Sequence, residues 1–593
     1  MSTQLETRTT IDPITAQVIR GALENVAVEM GYKLARMSYS SIIRESEDFG
    51  CAIVDAQGQQ LCESTNSTPL QSGPLPGYIR GIKKVLEERG DLIRPGDVIM
   101  HNSPYYGASH QPDVGFFLPV FYRDELIGFS CSTAHHLDLG ALTPGSCGIV
   151  DAVDAYAEGL QFKAIKVFAE GRRNEMVWQM LRDNVRAADL VVGDMEAQIA
   201  SCRIGAARYL EIVEKYGINT VLAASEDLMS YSERILRQEI EKLPDGTYHA
   251  EGFVDGFLDS DDPAKKDLKI SVTLTVKGSD LIVDLTGTAP QVPDRPINMP
   301  FEGTVDIAVY FTLRSILLDS EVFGYIPQNS GLMRPIQIIA PEGTMVNPTF
   351  PAPTIARFCP GNMVADTLMH ALAQVVPRQV SAGVGNLNVV AYSGLKDRQY
   401  WVYMDIMEGS YGGRYEKDGM DAVDTLYANT RNNPIEDIES HYPLRVNRYE
   451  LLDDASAAGK YRGGIGTVRE VMFLEDGGFS VEGDGQRYAP WGFSGGNDGT
   501  PGKLILQMSD GKETVLPSKI PHHRAAKGDK LRLFGPCGGG YGNPLDRDPN
   551  LVLKDVLDGY VSLKSAETDY GVRIVDGQID LAATAALRAE RNL

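Results

Sequence analysis

The sequence is poor in histidine and has no cysteine pairs, no basic surplus and no long apolar run. Its net charge of −24 leaves nothing to neutralise phosphates, which disfavours nucleic acid and anionic membranes as partners. The seven cysteines form no CxxC pair, so neither a disulfide framework nor a thiolate zinc site is indicated. No run of about 18 apolar residues and no signal-like N-terminus is present. We therefore expect a cytoplasmic protein.

What the sequence contains is typical of a multidomain protein of mixed α and β structure. Its 593 residues exceed one typical core. Hydrophobic spacing predicts a helix over residues 11–38, with Asp12 as its N-cap and Pro13 at its first position. The remaining patterns predict a strand, turn and strand over 48–64, a helix over 77–90, a buried strand over 95–102, helices over 174–217 and two strands over 268–287.

Glycine becomes dense from about residue 400, in segments such as "KYRGGIG" (460–466) and "GPCGGGYGNP" (535–544). Short strands and tight turns account for these glycines. We predict a mixed α/β (α+β) fold with three regions. These are a helix-and-strand region (1–242), a mixed middle region (243–400) and a β-rich, Gly-rich C-terminal region (401–593).

Four of the nine histidines fall between His101 and His136. In "YYGASHQPDVGFF" (105–117), His110 and Asp113 could bind one cation if the loop turns between them. His135 would add a second imidazole, and Asp48 of "RESEDFG" (44–50) a second carboxylate. Two histidines with two carboxylates suit zinc, manganese or iron(II). His136 and Asp138 are candidates to orient those ligands.

A metal site is not the only interpretation of this pattern. HxxD occurs by chance, and a buried histidine bonded to a backbone carbonyl is commoner than a metal ligand. A serine nucleophile is disfavoured because no GxSxG motif is present. Cys131 or Cys147 could pair with a histidine, although nothing local supports it. In "VEGDGQRYAPWGFSGG" (481–496), Asp484, Gln486 and Arg487 stand near Trp491, as in a binding pocket.

Several longer stretches carry a family resemblance. They are "RESEDFGCAIVDAQG", "GDVIMHNSPYYGASHQPD", "AHHLDLGALTPGS", "EGLQF", "NVRAADLVVGDMEAQIA", "NPIEDIESHYPLRVNRYEL", "GKYRGGIGTVRE", "GDGQRYAPWGFSGG" and "GGGYGNPLDRDP". In this order, from about residue 12 to about 575, the chain resembles the hydantoinase B family. That family includes subunits of hydantoinases, 5-oxoprolinases, caprolactamase and acetone or acetophenone carboxylases.

The resemblance implies a divalent metal, zinc or manganese, held by Asp48, His110, Asp113 and His135. Around these positions the chain departs from the family. It has "HNSPY" where relatives commonly have Asn-Asp-Pro-Tyr, "GASH" for Gly-Gly-Thr-His and "HHLDLGA" for His-His-Ala-Asp-Val-Gly-Gly. The departures flank the ligands, so we expect them to affect substrate choice, with Tyr105 as a pocket residue.

The resemblance also implies a hydantoinase A-like partner that binds ATP and Mg²⁺, in a hetero-oligomer such as (αβ)2. This agrees with the lack of a nucleotide-binding loop in this chain. The leading hypothesis is ATP-dependent ring opening of a hydantoin, 5-oxoproline or lactam, with Glu45, Glu47 or Asp138 as general base. ATP-dependent carboxylation of a ketone is the alternative. A third hypothesis is a non-catalytic scaffold that keeps a closed structural metal.

Overall fold

A computed structural model of the protein describes residues 11–146, 148–324 and 326–591. Residues 1–10 and 592–593, which belong to the predicted outer regions, lie outside the described residues. The described chain combines many helices with four larger sheets, which confirms the predicted mixed fold. No helix within these ranges is both long enough and apolar enough to cross a membrane.

The first sheet is antiparallel, with strand order β2-β1-β5-β4-β3-β6-β7. Its strands are β1 (Phe49–Asp55), β2 (Gln60–Glu63), β3 (Val98–His101), β4 (Asp113–Tyr122), β5 (Glu125–His135), β6 (Ile165–Ala169) and β7 (Arg172–Arg173). The helices of this part are α1 (Pro13–Met37), α2 (Ser41–Arg44), α3 (Pro69–Ser72), α4 (Leu75–Arg89), α5 (Glu175–Asn184), α6 (Ala188–Tyr216) and α7 (Ile218–Ile240).

Helices cover both faces of this sheet. Along β1, Cys51 and Ile53 belong to the core formed with α1, whereas Ala52 and Val54 belong to the core formed with α4. Successive strand residues point to opposite faces, so a strand covered on both sides is apolar throughout. All seven residues of β1 are accordingly buried.

The local signals at the helix ends act as predicted. The Asp12 carboxylate accepts a hydrogen bond from the Thr15 N–H at 2.9 Å, and Pro13 begins α1. Gly90, with φ of 65°, ends α4 in the left-handed conformation that glycine adopts without strain. The predicted helices over 174–217 and the two strands over 268–287 are also confirmed.

The middle of the chain forms a second sheet with order β11-β10-β9-β8. Its strands are β8 (Gly246–Gly256), β9 (Lys266–Lys277), β10 (Asp280–Asp284) and β11 (Ile336–Ile339). The helices here are α8 (Asp306–Leu317), α9 (Ser320–Phe323) and α10 (Phe358–Ala373). Side chains of α8 and α10 share one core with β9 and β10.

Two further sheets pack face to face near the C-terminus. Their orders are β13-β12-β16-β19 and β14-β15-β20-β17-β18. The strands are β12 (Asn388–Lys396), β13 (Gln399–Met407), β14 (Leu444–Leu451), β15 (Thr467–Phe473), β16 (Gly477–Glu482), β17 (Lys503–Gln507), β18 (Glu513–Leu516), β19 (Lys519–Ala525) and β20 (Lys530–Phe534). Tyr392 and Phe479 of one sheet meet Val471 and Leu531 of the other in a shared core.

Smaller elements complete the chain: α11 (Ile435–His441), α12 (Pro549–Leu557), α13 (Leu563–Thr568), β21 (Ile574–Val575), β22 (Gln578–Ile579) and α14 (Leu581–Arg591). The boundary predicted after residue 400 falls inside β13. The third sheet therefore draws β12 from the predicted middle region.

The glycine-rich segments differ from the prediction. Gly463 and Gly538 to Gly540 do not have the positive φ that marks a glycine turn. They instead allow backbones to touch. A Cβ on Gly463 would lie 1.9 Å from the Gly538 carbonyl oxygen, and one on Gly539 would lie 2.1 Å from the Trp491 carbonyl oxygen. These glycines are required by close packing between loops, because no side chain fits there.

Candidate metal centre

The candidate ligands meet at one end of the first sheet. Asp113 begins β4 and faces His135, which ends β5, in the strand register. Asp48 directly precedes β1, whose first residue pairs with Ala134 of β5. In antiparallel neighbours the start of one strand lies beside the end of the next. The strand order therefore brings together residues that stand far apart in the sequence.

Three side chains form a compact cluster. His110 Nε2 lies 3.0 Å from Asp113 Oδ1, and His135 Nδ1 lies 2.9 Å from the same oxygen. The two imidazole nitrogens are 3.3 Å apart. One ligand atom from each of the three residues lies within 4.8 Å of the others, so the set could hold a metal ion. The three residues are 0 or 1% exposed.

The surroundings of His110 favour its metal-binding form. Its Nδ1 lies 2.9 Å from the Ile355 carbonyl oxygen, which can only accept a hydrogen bond. Nδ1 therefore carries the proton, and the lone pair of Nε2 faces the cluster. Burial, followed by the charge of Arg357, lowers the pKa of His110 to about 4. The neutral ring is the form that binds metal.

Asp113 is the centre of the cluster. Burial alone would raise the pKa of its carboxyl group, but His110, His135 and Arg357 together hold that pKa well below its usual range. Arg357 Nη2 donates to Asp113 Oδ2 at 2.9 Å, and the Ser109 hydroxyl donates to the same oxygen. Asp113 is therefore a permanent carboxylate in a buried site.

Asp48 stands beside the three-residue cluster, outside it. The Gln71 amide nitrogen donates to Asp48 Oδ1 at 3.1 Å and to Asp113 Oδ1 at 2.8 Å, so it links the two carboxylates. Thr68 also donates to Asp48. Burial raises the pKa of Asp48, and the nearby Asp113 charge raises it further. Of the four predicted ligands, three are brought together and the fourth is joined to them through Gln71.

Several residues of the site were not predicted from sequence. Gln71 comes from α3, Ser109 from the loop before β4, and Arg357 from the turn before α10. Glu158 accepts hydrogen bonds from the Thr354 and Ile355 N–H groups, at 2.5 and 2.6 Å, and so holds the segment that supplies the Ile355 carbonyl and Arg357. Arg357 is about 240 residues from Asp113 in sequence, and no spacing rule links such positions. Only the proline- and glycine-containing segment "PAPTIARFCPG" hinted at an ordered loop.

Two predicted residues have other roles. The His136 ring faces away from the cluster, and its Nε2 donates to Gln198 of α6 at 2.9 Å. Asp138 Oδ1 accepts from the Gly140 and Arg186 N–H groups, and Oδ2 accepts from the Arg186 guanidinium at 3.0 Å. A carboxylate bonded to this many donors is a structural anchor, which argues against Asp138 as a general base.

The other two carboxylates considered as bases differ from each other. Glu45 is partly exposed and accepts from Arg44 Nε at 2.8 Å. Glu47 directly precedes Asp48, and its Oε1 lies 3.1 Å from Arg431 Nη1. Burial raises the pKa of Glu47. Its φ of 53° is a strained conformation for a residue with a side chain.

The predicted pocket residues lie in separate places. The Tyr105 hydroxyl donates to the Ala352 carbonyl oxygen and its ring packs against Phe350. Asp484 lines a cavity of about 150 Å³ with Trp491. The backbone N–H groups of Gln486 and Arg487 donate to the Asp255 carboxylate.

That cavity lies well away from the metal cluster. It adjoins Asp366 on α10, whereas Arg357, which contacts the cluster, precedes that helix. Nine residues at 1.5 Å each separate the two positions by about 14 Å along the helix. Tyr105 and the 484–487 segment therefore do not form one pocket.

The cysteine–histidine alternative finds no support around Cys131. This residue is fully buried, and burial raises the pKa of its thiol well above the usual value. A thiol in such surroundings is unreactive. Cys147 lies outside the described residues.

Comparison with known families decides the broader identity. The hydantoinase B/oxoprolinase family model matches residues 12–544. The chain belongs to the hydantoinase B/oxoprolinase family. This confirms the family that the sequence resembles.

Two relatives match the chain over nearly its full length. It is 71% identical over 580 residues, 98% of either chain, to a putative D-/L-hydantoinase B-type subunit of Pseudomonas sp. (strain NS671). It is 32% identical over 605 residues to the caprolactamase β-subunit of Pseudomonas jessenii, covering 98% of this chain and 99% of that one. The 5-oxoprolinase of Dictyostelium discoideum is 26% identical over 542 residues, which are 40% of that longer protein.

Solved structures of the family share this fold. The crystal structure of ATP-dependent caprolactamase from Pseudomonas jessenii superposes with a TM-score of 0.87 at 31% identity, covering 98% of this chain and 100% of that one. A nucleotide-free acetone carboxylase has a TM-score of 0.88 at 19% identity, covering 98% of this chain and 83% of that one. At that identity the second comparison concerns the fold alone.

Proposed function

We propose that this chain is the metal-containing, substrate-binding subunit of an ATP-dependent cyclic amide hydrolase. The buried His110–Asp113–His135 cluster carries the proposal, because two neutral imidazoles and a carboxylate are a ligand set rather than a packing motif. The names of its two full-length relatives, a hydantoinase subunit and a caprolactamase subunit, support ring opening of a hydantoin or lactam.

The residues present fit a divalent metal. Two nitrogen donors and one carboxylate oxygen converge, His110 is held in its metal-binding tautomer, and Asp113 is ionised. Asp48 could complete the set if Gln71 released it. Zinc, manganese and iron(II) all accept these donors. When bound, such a metal would polarise a carbonyl group or activate water.

The protein's own groups supply positioning and proton transfer. Arg357 and Ser109 hold Asp113, while Ile355 orients His110. Among the three carboxylates considered, Glu47 is our candidate general base, since it stands next to Asp48 and burial raises its pKa. Raising the pKa of a carboxyl towards the working pH is how proteins prepare a base.

The proposed division of labour gives ATP to a second subunit. An unstrained lactam is a poor electrophile at neutral pH, and phosphorylation of its oxygen creates a good leaving group. We place ATP and Mg²⁺ on a hydantoinase A-like partner in a cytoplasmic hetero-oligomer such as (αβ)2. The two relatives are themselves named as subunits, which supports a partner chain.

The test is co-expression of this chain with its neighbouring A-like partner, followed by measurement of ADP release. One substrate set contains hydantoins, 5-oxoproline and lactams, and the other contains ketones with labelled bicarbonate. We expect ADP release with the cyclic amides and no uptake of label. Incorporation of label with a ketone would replace this proposal with a carboxylase.

Metal analysis of the same complex separates a catalytic from a structural metal. We expect about one metal ion per chain, whose removal by a chelator abolishes activity while the fold persists. If chelation instead unfolds the chain, the metal is structural and the scaffold hypothesis is favoured.

A further inference from the structure

A large cavity system lies away from the metal cluster, where three parts of the chain meet. One compartment of about 510 Å³ is bounded by the end of β2, by α3, by α8 and by the 411–429 loop. A second compartment of about 190 Å³ shares Phe311, Tyr411 and Leu426 with the first. Ligand sites in proteins typically have volumes of about 300–1,000 Å³ and lie between domains.

The two compartments differ in chemistry. The smaller one is bounded by apolar side chains, among them Phe311, Ile316, Met369 and Leu426. The larger one has charged groups, Glu63 at the end of β2 and Arg314 on α8. A molecule that filled both would have one polar end and one hydrocarbon end.

The polar end offers paired donors and acceptors. Burial raises the pKa of the Glu63 carboxyl to about 7, and the nearby Arg314 charge opposes that rise. The Gln60 amide donates to Glu63 Oε2 at 3.0 Å. Gln328 Oε1, in the wall of the same compartment, is buried and has no hydrogen-bond partner among the described residues. Leaving such an oxygen unpaired costs about 1–3 kcal/mol, which a ligand N–H would recover.

The loop over the cavity is strained. Ala422, Leu426 and Asn429 all have φ between 46° and 79°. Asp424 holds this loop by accepting from the N–H groups of Thr425 and Thr430, and the Tyr411 hydroxyl accepts from the Leu426 N–H. Left-handed residues with side chains concentrate where a ligand is held.

Helix α3 connects this cavity to the metal cluster. Pro69 of α3 lines the cavity, while Gln71 of the same helix donates to Asp48 and Asp113. A ligand in the cavity therefore lies one short helix from the cluster.

We propose that this cavity binds a cyclic amide or ureide with a hydrocarbon substituent. The guanidinium of Arg314 faces the ring carbonyl, Gln328 Oε1 accepts a ring N–H, and the substituent enters the compartment of Phe311 and Leu426. This inference rests on the proposed function and adds the place and the shape of the substrate. A ring-opened product would present a carboxylate to Arg314 instead.

The test uses the co-expressed complex and two variants of the cavity. Ser315 is exposed on α8 and lines both compartments, so S315W fills the cavity and S315A is its matched control. R314Q removes the cavity guanidinium, and R334Q removes a surface guanidinium paired with Glu226 and Glu233. Binding of 5-benzylhydantoin, unsubstituted hydantoin and N-carbamoyl-phenylalanine is measured by calorimetry, together with KM and kcat for ADP release.

We expect S315W and R314Q to weaken binding of 5-benzylhydantoin by about tenfold to a hundredfold. Their KM should rise with little change in kcat, and S315A and R334Q should behave as wild type. We also expect unsubstituted hydantoin to bind more weakly than the benzyl compound. Binding of the ring-opened carboxylate in preference to both hydantoins would overturn the assignment to the intact ring.

The two proposals fail separately. If the wild-type complex turns over cyclic amides and S315W does so with an unchanged KM, the cavity proposal is wrong and the proposed function stands. If no cyclic amide is turned over, calorimetry still decides, and absence of binding by wild type rejects the cavity as well. Folding of S315W is checked against S315A by thermal unfolding.

Discussion

The histidine-bearing segments and the glycine-rich segments use burial in opposite ways. At the end of the first sheet, three side chains direct donor atoms at one point inside the protein. Around Gly463 and Gly538, backbones approach so closely that no side chain fits. Both regions are loops in sequence terms, yet one exists to place side chains and the other to exclude them.

The difference shows what buried loops need. A buried loop must satisfy its polar atoms. The cluster does so through Gln71, Arg357 and the Ile355 carbonyl, whereas the glycine layer does so through hydrogen bonds between backbones, such as Gly538 N–H to the Gly464 carbonyl oxygen at 3.0 Å. Mutations should therefore affect chemistry in the first region and stability in the second.

The largest effect is expected at His110. H110A removes one of the three ligand atoms, so metal binding should weaken by more than the roughly hundredfold typical of losing a supporting residue, and ADP release should vanish. Metal content and activity measure this. H249A is the control, because His249 is exposed on β8. A folded H110A with full metal content would contradict the assignment.

A second prediction concerns the proposed base. We expect E47Q to lower kcat by about a hundredfold without loss of metal, as removal of a general base does. E45Q, the same change two residues away at a partly exposed site, should alter kcat by less than about twofold. Equal activity of the two variants would remove Glu47 from the mechanism.

In the glycine layer we expect the opposite outcome. G463A places a Cβ 1.9 Å from a backbone oxygen and should destabilise the protein by about 3 kcal/mol or more, seen as a lower melting temperature. G21A is the control, since no atom lies within 4 Å of that Cβ in α1. That variant should be stabilised by about 0.5–1 kcal/mol. An unchanged melting temperature for G463A would show that the layer is loosely packed.

The smallest effect is a pH dependence at His101. Its Nδ1 accepts from the Ala164 N–H at 3.1 Å, and burial lowers the pKa of the ring from 6.5 to about 4. The unfolded chain therefore binds a proton before the folded one. The stability due to neutral His101 is present above pH 6.5 and lost as the pH falls towards 4. Between pH 7 and 5, the melting temperature of H101Q should fall less than that of wild type; an equal fall would place the titration elsewhere.

Much of the fold was predictable because its signals are local. Asp12, Pro13 and Gly90 mark helix ends through their own backbone chemistry, and the alternation in β9 and β10 reflects the two faces of a strand. The glycines after residue 400 were misassigned to turns because composition alone does not distinguish a positive φ from a close contact.

The site divides in the same way. His110, Asp113 and His135 were predicted because their residue types and spacing, with the family resemblance, point to metal binding. Gln71, Glu158 and Arg357 were not, and Asp138 was given a catalytic role although Arg186 engages it.

The sequence by itself therefore determined the helix and strand signals, the family and the histidines and carboxylates available as ligands. Only the tertiary structure decided which of them meet. Strand order sets which loop ends are neighbours, and contacts across about 240 residues of chain, such as Arg357 with Asp113, leave no local trace.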